Sequence, residues 1–190
     1  MNNYRDYYLK DIDNKLVDKK ITVSGWVNRS RDHGNLLFID LRDHFGLTQC
    51  VIENKNKYFK TLEKIRPESV INVTGKVIKR EKGTENTELT TGKIEVSIQT
   101  IKILAEAKDL PMPVFGEQDY PEDIRLKYRF LDLRKSRLHN NILLRSSIIS
   151  AFRKKMISRG FTEIQTPILS SSSPEGARDF LVPSRLHKGR

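Results

Sequence analysis

Five runs of this chain place apolar side chains at every second position, the spacing that lines them along one face of an extended strand. In "KITVSGWVNRSRD", Ile21, Val23 and Val27 share a face, with Thr22, Ser24, Trp26 and Asn28 on the other. "NLLFIDLRD" aligns Leu37, Ile39 and Leu41, and "GLTQCVIE" aligns Thr48, Cys50 and Ile52. "SVINVTGKVIKRE" and "GKIEVSIQTIKIL" supply the last two runs, the latter with Ile94, Val96 and Ile98 in register. Between the third and fourth runs, "KYFKTLEKIRPE" predicts a short helix that stops before Pro67, because proline cannot continue one.

Five strands with a helix between the third and fourth is the order of an OB-fold, a small barrel that commonly binds oligonucleotides. Other small barrels share part of this pattern. Alternation also assigns the outward side chains. With Leu37, Ile39 and Leu41 in the core, Phe38 points out; so do Gln49, between Thr48 and Cys50, and Glu95, between Ile94 and Val96. An outward ring near an amide and a carboxylate, beside Arg29 and Arg31, suits base recognition: the ring stacks and the polar groups read base edges. The same pattern also fits a Phe38 covered by a neighbouring segment.

Residues 105–120, "AEAKDLPMPVFGEQDY", lose the alternation and read as a linker between a barrel over 1–104 and a second region over 121–190. "PEDIRLKYRFLDLR" predicts a helix from Pro121, with acids in its first turn and bases later, as the helix dipole favours. "SRLHNNILLRSSIISAFRKKMISRG" predicts a longer helix with Leu144, Ile148 and Phe152 on one stripe and Gly160 as its C-cap. "FTEIQTPIL" has β character, but Pro167 inside it argues for an edge or interface position. Two helices and one short strand are too few layers to close a core, so this region is expected to be the start of a larger domain.

Lys and Arg number 35 against 24 Asp and Glu, a net charge of +11, which favours polyanionic partners and equally fits a Lys-rich solvated surface. No apolar run approaches the ~20 residues of a membrane span, and the N-terminus lacks signal-peptide order. A single cysteine, Cys50, excludes an internal disulfide and points to a reducing cytosol. With the histidines scattered, no metal site is expected.

The residues resemble a family, the bacterial-type aspartyl-tRNA synthetases of class II. "SGWVNRSRDHGNLLFIDLRDHFGLTQCVI" is similar to their anticodon-binding barrel, "PEDIRLKYRFLDLR" to the opening of their catalytic domain, "GFTEIQTPIL" with Pro167 to their first class II motif at the dimer interface, and "SPEGARDFLVPSR" to their aspartate-site loop. The resemblance implies activation of L-aspartate with ATP and Mg²⁺ to aspartyl-adenylate, then transfer to the 3′ end of tRNA, by a cytoplasmic homodimer. It assigns Glu175 to the substrate ammonium within a loop holding Gly176, Arg178 and Asp179, and Phe38, Gln49 and Glu95 to the anticodon. "RSRDHGN" resembles the form of enzymes that charge both tRNA-Asp and tRNA-Asn, with His33 and Gly83 as the determinants. The family's second and third motifs, which carry its ATP-binding arginines, are not found in residues 1–190, and "GTENTELTTGKI" lacks P-loop spacing. Two functions follow as expectations: an N-terminal portion of an aspartate–tRNA ligase, inactive by itself, or a stand-alone OB-fold module that binds tRNA without acylating it.

Overall fold

The computed structural model describes residues 3–81, 83–87, 89–116, 119–169, 180 and 182–187. Five strands, β1 (Lys20–Asp32), β2 (Leu36–Arg42), β3 (Leu47–Glu53), β4 (Val70–Lys79) and β5 (Ile94–Ala105), close into a barrel in the order β1-β2-β3-β5-β4. All neighbours are antiparallel except β3 and β5, which run parallel through Cys50↔Val96 and Val51↔Ser97. A short helix, α1 (Phe59–Glu63), connects β3 to β4. Strand count, helix position and inward residues all follow the alternation, and the barrel is the five-stranded OB type.

The core holds the inward residues of every strand, among them Val23, Val27, Leu37, Ile39, Leu41, Ile71, Val73 and Val96, each at most 1% exposed. Phe59 and Leu62 of α1 join it, as do Leu9, Ile12 and Leu16 from two 3-10 turns ahead of β1. Buried Asp43 ties the first of those turns to the barrel by accepting from Leu9 N–H at 2.8 Å. Gly75 sits where β4 and β5 shift register; a Cβ there would lie 2.2 Å from the Ser97 carbonyl oxygen, so only glycine lets the strands approach.

The helix expected from Pro121 is two helices. Pro121 is the N-cap, α2 spans Glu122–Lys127, and α3 spans Arg129–Asp132, with the break at Tyr128 (φ −111°, ψ 42°). Tertiary contacts explain it. Leu131 packs with Met112 and Val114 in a small second core that Tyr128 also borders. Asp132, 1% exposed on its side chain, accepts from Arg125 Nε at 3.2 Å and Arg129 Nη1 at 3.0 Å, turning α3 back on α2. Part of the expected linker is therefore packed structure: Met112 is fully buried.

The chain divides into two compact units, Met1–Asn140 and Asn141–Arg190. The second contains most of α4 (Ser136–Ser158), which ends as expected at Gly160 in a left-handed conformation (φ +88°). Gly160 N–H donates to Ile157 and Phe161 N–H to Met156, the paired bonds of a Schellman cap. Leu144, Ile148 and Phe152 are 60%, 58% and 68% exposed. Residues 161–169 form no strand, contrary to their β character: a strand needs a ladder partner, and none of the described residues pairs with them.

Candidate nucleic-acid interface

The outer face of β1, β2, β3 and β5 carries the polar cluster. Val27 of β1 stands opposite Leu41, but the next pair is Arg29 opposite Asp40, so Asn28 is an extra, bulged residue. Strict alternation from Val27 sends Arg29 and Arg31 into the core. The bulge returns them to the outer face, where Arg31 stands opposite Phe38. Asp40 in turn stands opposite Gln49, and Phe38 opposite Val51.

Four side chains form one hydrogen-bonded row. Arg31 Nη2 donates to Asp40 Oδ1 at 2.8 Å and to Gln49 Oε1 at 3.2 Å, and Gln49 Nε2 donates to Glu95 Oε2 at 3.0 Å. Gln49 is therefore outward in direction yet covered, at 8% exposure. Its amide is held at both ends, leaving one N–H and one lone pair for a ligand. Phe38 is half-buried, and the exposed His33 packs edge-on against it, ring centroids 5.3 Å apart at 88°.

His33 sits on the β1–β2 turn, its N–H donating to Leu36 O at 2.9 Å. Gly34 supplies the left-handed residue (φ +77°), so Asn35 needs no such freedom; its side chain accepts from Asn54 Nδ2 at 2.7 Å. Gly83 (φ +89°) lies in the β4–β5 connection, which Arg80 braces by donating to the carbonyls of Ile94 and Thr84, each at 3.3 Å. Arg80 and Asp40 are site residues that sequence reasoning missed. Asp40 was legible in principle, two positions along β2 from Phe38; Arg80 was not, because only the register of β4 against β5, Ile78↔Glu95 and Lys79↔Ile94, brings the end of β4 beside Glu95.

Electrostatics balance the row. Burial raises the Asp40 carboxyl above its ordinary 3.8, opposed by Arg31, Arg29 and Arg80. Burial likewise raises Glu95 above 4.5, opposed by Arg80 and the Gln49 bond and reinforced by Glu81. Burial, then Asp40 and Glu95, push the Cys50 thiol up, which keeps it an unreactive core residue. A carboxyl with a raised folded-state pKa holds more protons folded than unfolded just above its ordinary value, so stability falls as pH rises through that window. The unfolding midpoint in urea is expected to fall less steeply from pH 4 to 6 in the double variant Asp40→Asn/Glu95→Gln than in wild type. Equal slopes refute the assignment.

Glu175, Gly176, Arg178 and Asp179 lie outside the described residues. Pro167 is in the exposed 161–169 segment. Among the described residues no three His, Cys, Asp or Glu side chains group to hold a metal, and no helix is long and apolar enough to cross a membrane.

A closed five-stranded barrel with a ring, an amide, carboxylates and guanidinium groups on one outer face has the form of an OB-fold, a class that commonly binds oligonucleotides. Residues 21–104 match the family described as OB-fold nucleic acid binding domain, and residues 121–190 match the tRNA synthetases class II (D, K and N). Residues 121–190 are thus a segment of the class II (D, K and N) synthetase type. Over all 190 residues the chain is 57% identical to the aspartate–tRNA(Asp/Asn) ligase of Pelagibacter ubique (strain HTCC1062), spanning 32% of that protein's length. Its fold is similar to the asparaginyl-tRNA synthetase from Pyrococcus horikoshii complexed with asparaginyl-adenylate (26% identity, TM-score 0.74, 90% of this chain and 38% of that one). The aspartyl tRNA synthetase from Entamoeba histolytica shares the fold (23% identity, TM-score 0.76, 86% and 39%).

Proposed function

We propose that this chain is the tRNA-reading part and the start of the catalytic domain of a non-discriminating aspartate–tRNA ligase, which joins L-aspartate to the 3′ end of tRNA-Asp and tRNA-Asn at the expense of ATP. The row Arg31–Asp40–Gln49–Glu95 beside Phe38 carries the reading: pre-ordered donors and acceptors next to a stacking ring suit unstacked bases. Residues 1–104 are then the anticodon-binding domain, 105–120 the connection, and 121–190 the beginning of the catalytic domain. Phe38 stacks on a base, Gln49 and Glu95 read base edges, and Arg29 and Arg31 hold the backbone. An acceptor-only carboxylate at Glu95 selects a base edge that presents N–H donors, such as guanine N1 and N2. Arg80 adds positive charge beside Glu95, which opposes the effect of burial on that carboxyl.

In the complete enzyme Glu175, within the loop of Gly176, Arg178 and Asp179, holds the aspartate ammonium. ATP and Mg²⁺ supply the activating chemistry; no described group of residues fits the metal, so neither is assigned a ligand here. Pro167 and the exposed apolar residues of α4 and 161–169 suit the interface of a homodimer. The cytoplasm is its compartment.

His33 supports the tRNA-Asp/tRNA-Asn reading, because its imidazole borders the Phe38 ring and both donates and accepts hydrogen bonds. The two tRNAs differ at one anticodon pyrimidine, and one well-read base contributes about 1–3 kcal/mol of discrimination. A full-length enzyme carrying these residues is expected to charge both tRNAs, and His33→Leu to lower the tRNA-Asn to tRNA-Asp ratio. Wild type that ignores tRNA-Asn, or a ratio unchanged by His33→Leu, removes the dual specificity; binding without any charging makes the chain an RNA-binding module alone.

A further inference from the structure

A second polar network shares β2 with the reading face. Phe38, Asp40 and Arg42 alternate along that strand, and Arg42 stands opposite Trp26 of β1. Arg42 Nη2 donates to one carboxylate oxygen of Glu68, and Arg134 Nη1, just beyond α3, donates to the other. Both guanidinium carbons lie over the Trp26 ring, 5.8 and 5.2 Å from its centroid. The Glu68 side chain is 6% exposed, a nearly buried carboxylate neutralised by two cations that rest on an aromatic ring.

The backbone holds Glu68 in place. Its φ is +66°, a left-handed conformation that costs any side-chain-bearing residue, and its N–H donates to Val27 O at 2.7 Å. The same turn grips the following segment at two more points. Arg66 Nε pairs with Asp109 at 3.0 Å, and Ser69 Oγ accepts from Ala107 N–H at 3.0 Å. Residues 66–69 thus hold the chain at 107, 109 and 134, and only the contact at 134 reaches the α3 end.

We infer that Glu68 is a positioning residue that fixes α3, and the chain leading into α4, on the RNA-reading barrel, so that in the ligase it governs the rate of transfer and not the affinity for RNA; this rests on the ligase reading above. Without its carboxylate, two guanidinium groups face each other over one ring, and Arg42 Nε is already buried without a partner. The release is toward solvent, and Arg134 leaves the barrel. The Arg31–Asp40–Gln49–Glu95 row has no bond to Glu68 and stays intact.

Trp26 is the one tryptophan of the chain, so its emission reports the joint directly. In the 190-residue protein, Glu68→Gln is expected to raise acrylamide quenching of Trp26 by about twofold as the guanidinium cover opens. Affinity for an anticodon stem–loop RNA should stay unchanged. In a full-length enzyme carrying these residues, kcat for charging should fall about tenfold with the KM for tRNA unchanged, the pattern of lost positioning. If Glu68→Gln does not fold, Arg134→Gln, which keeps the Arg42–Glu68 pair within the barrel, is expected to show the same quenching and the same fall. Unchanged Trp26 quenching overturns the inference, as does a raised KM with unchanged kcat. A wild type that binds the stem–loop but charges no tRNA instead removes the ligase reading, and the quenching result then decides the role of Glu68.

Discussion

Phe38→Ala is expected to weaken binding of an anticodon stem–loop by about 1–3 kcal/mol, the cost of removing one base–aromatic stack. The ring is half-buried on the outer face of β2, supported edge-on by His33 and flanked across the strands by Arg31 and Val51. Because it contributes nothing to the barrel core, the unfolding midpoint should move little. Titration of labelled stem–loop RNA at fixed ionic strength measures the loss, and the salt must be fixed because phosphate contacts make affinity salt-dependent. Unchanged affinity removes Phe38 from the site and leaves it a covered surface ring.

Ile39→Ala has the opposite profile. Ile39, the neighbour of Phe38 in sequence, points through the sheet into the core, fully buried among the inward residues of the barrel. Truncating such a side chain costs about 2–5 kcal/mol, the lost transfer free energy plus the cavity left behind. Chemical denaturation of the 190-residue chain should show a lower midpoint, with RNA affinity preserved under conditions where the variant is folded. A stability loss in Phe38→Ala larger than in Ile39→Ala contradicts the assigned strand direction. Two adjacent residues separate folding from recognition because side chains alternate between the faces of a strand.

Much of the barrel was legible in the sequence because period-two alternation is a local property. The runs at Lys20–Asp32, Leu36–Arg42 and Leu47–Glu53 coincide with strands, and the short helix before Pro67 is present. The cap at Gly160 was legible for the same reason: a glycine directly after a long helical run supplies the left-handed residue. The single helix expected over 121–134 was not found, since helical periodicity says nothing about Met112 and Val114 drawing Leu131 inward, or Arg125 and Arg129 converging on Asp132.

By itself the sequence determined the succession of five strands with a helix after the third, the inward set that fills the barrel, and the outward direction of Phe38, Gln49 and Glu95, all consequences of local residue spacing. The tertiary structure alone decided what those outward residues meet. The bulge at Asn28 reverses the alternation, so Arg29 and Arg31 reach the outer face instead of the core. Barrel closure lays β5 beside β3 and brings Glu95 to Gln49, 46 residues away in sequence, while the register of β4 against β5 carries Arg80 in beside Glu95. The turn at Glu68 gathers Arg42 and Arg134 over Trp26. Register and closure depend on pairing energies between segments far apart in the chain, and no local period encodes them.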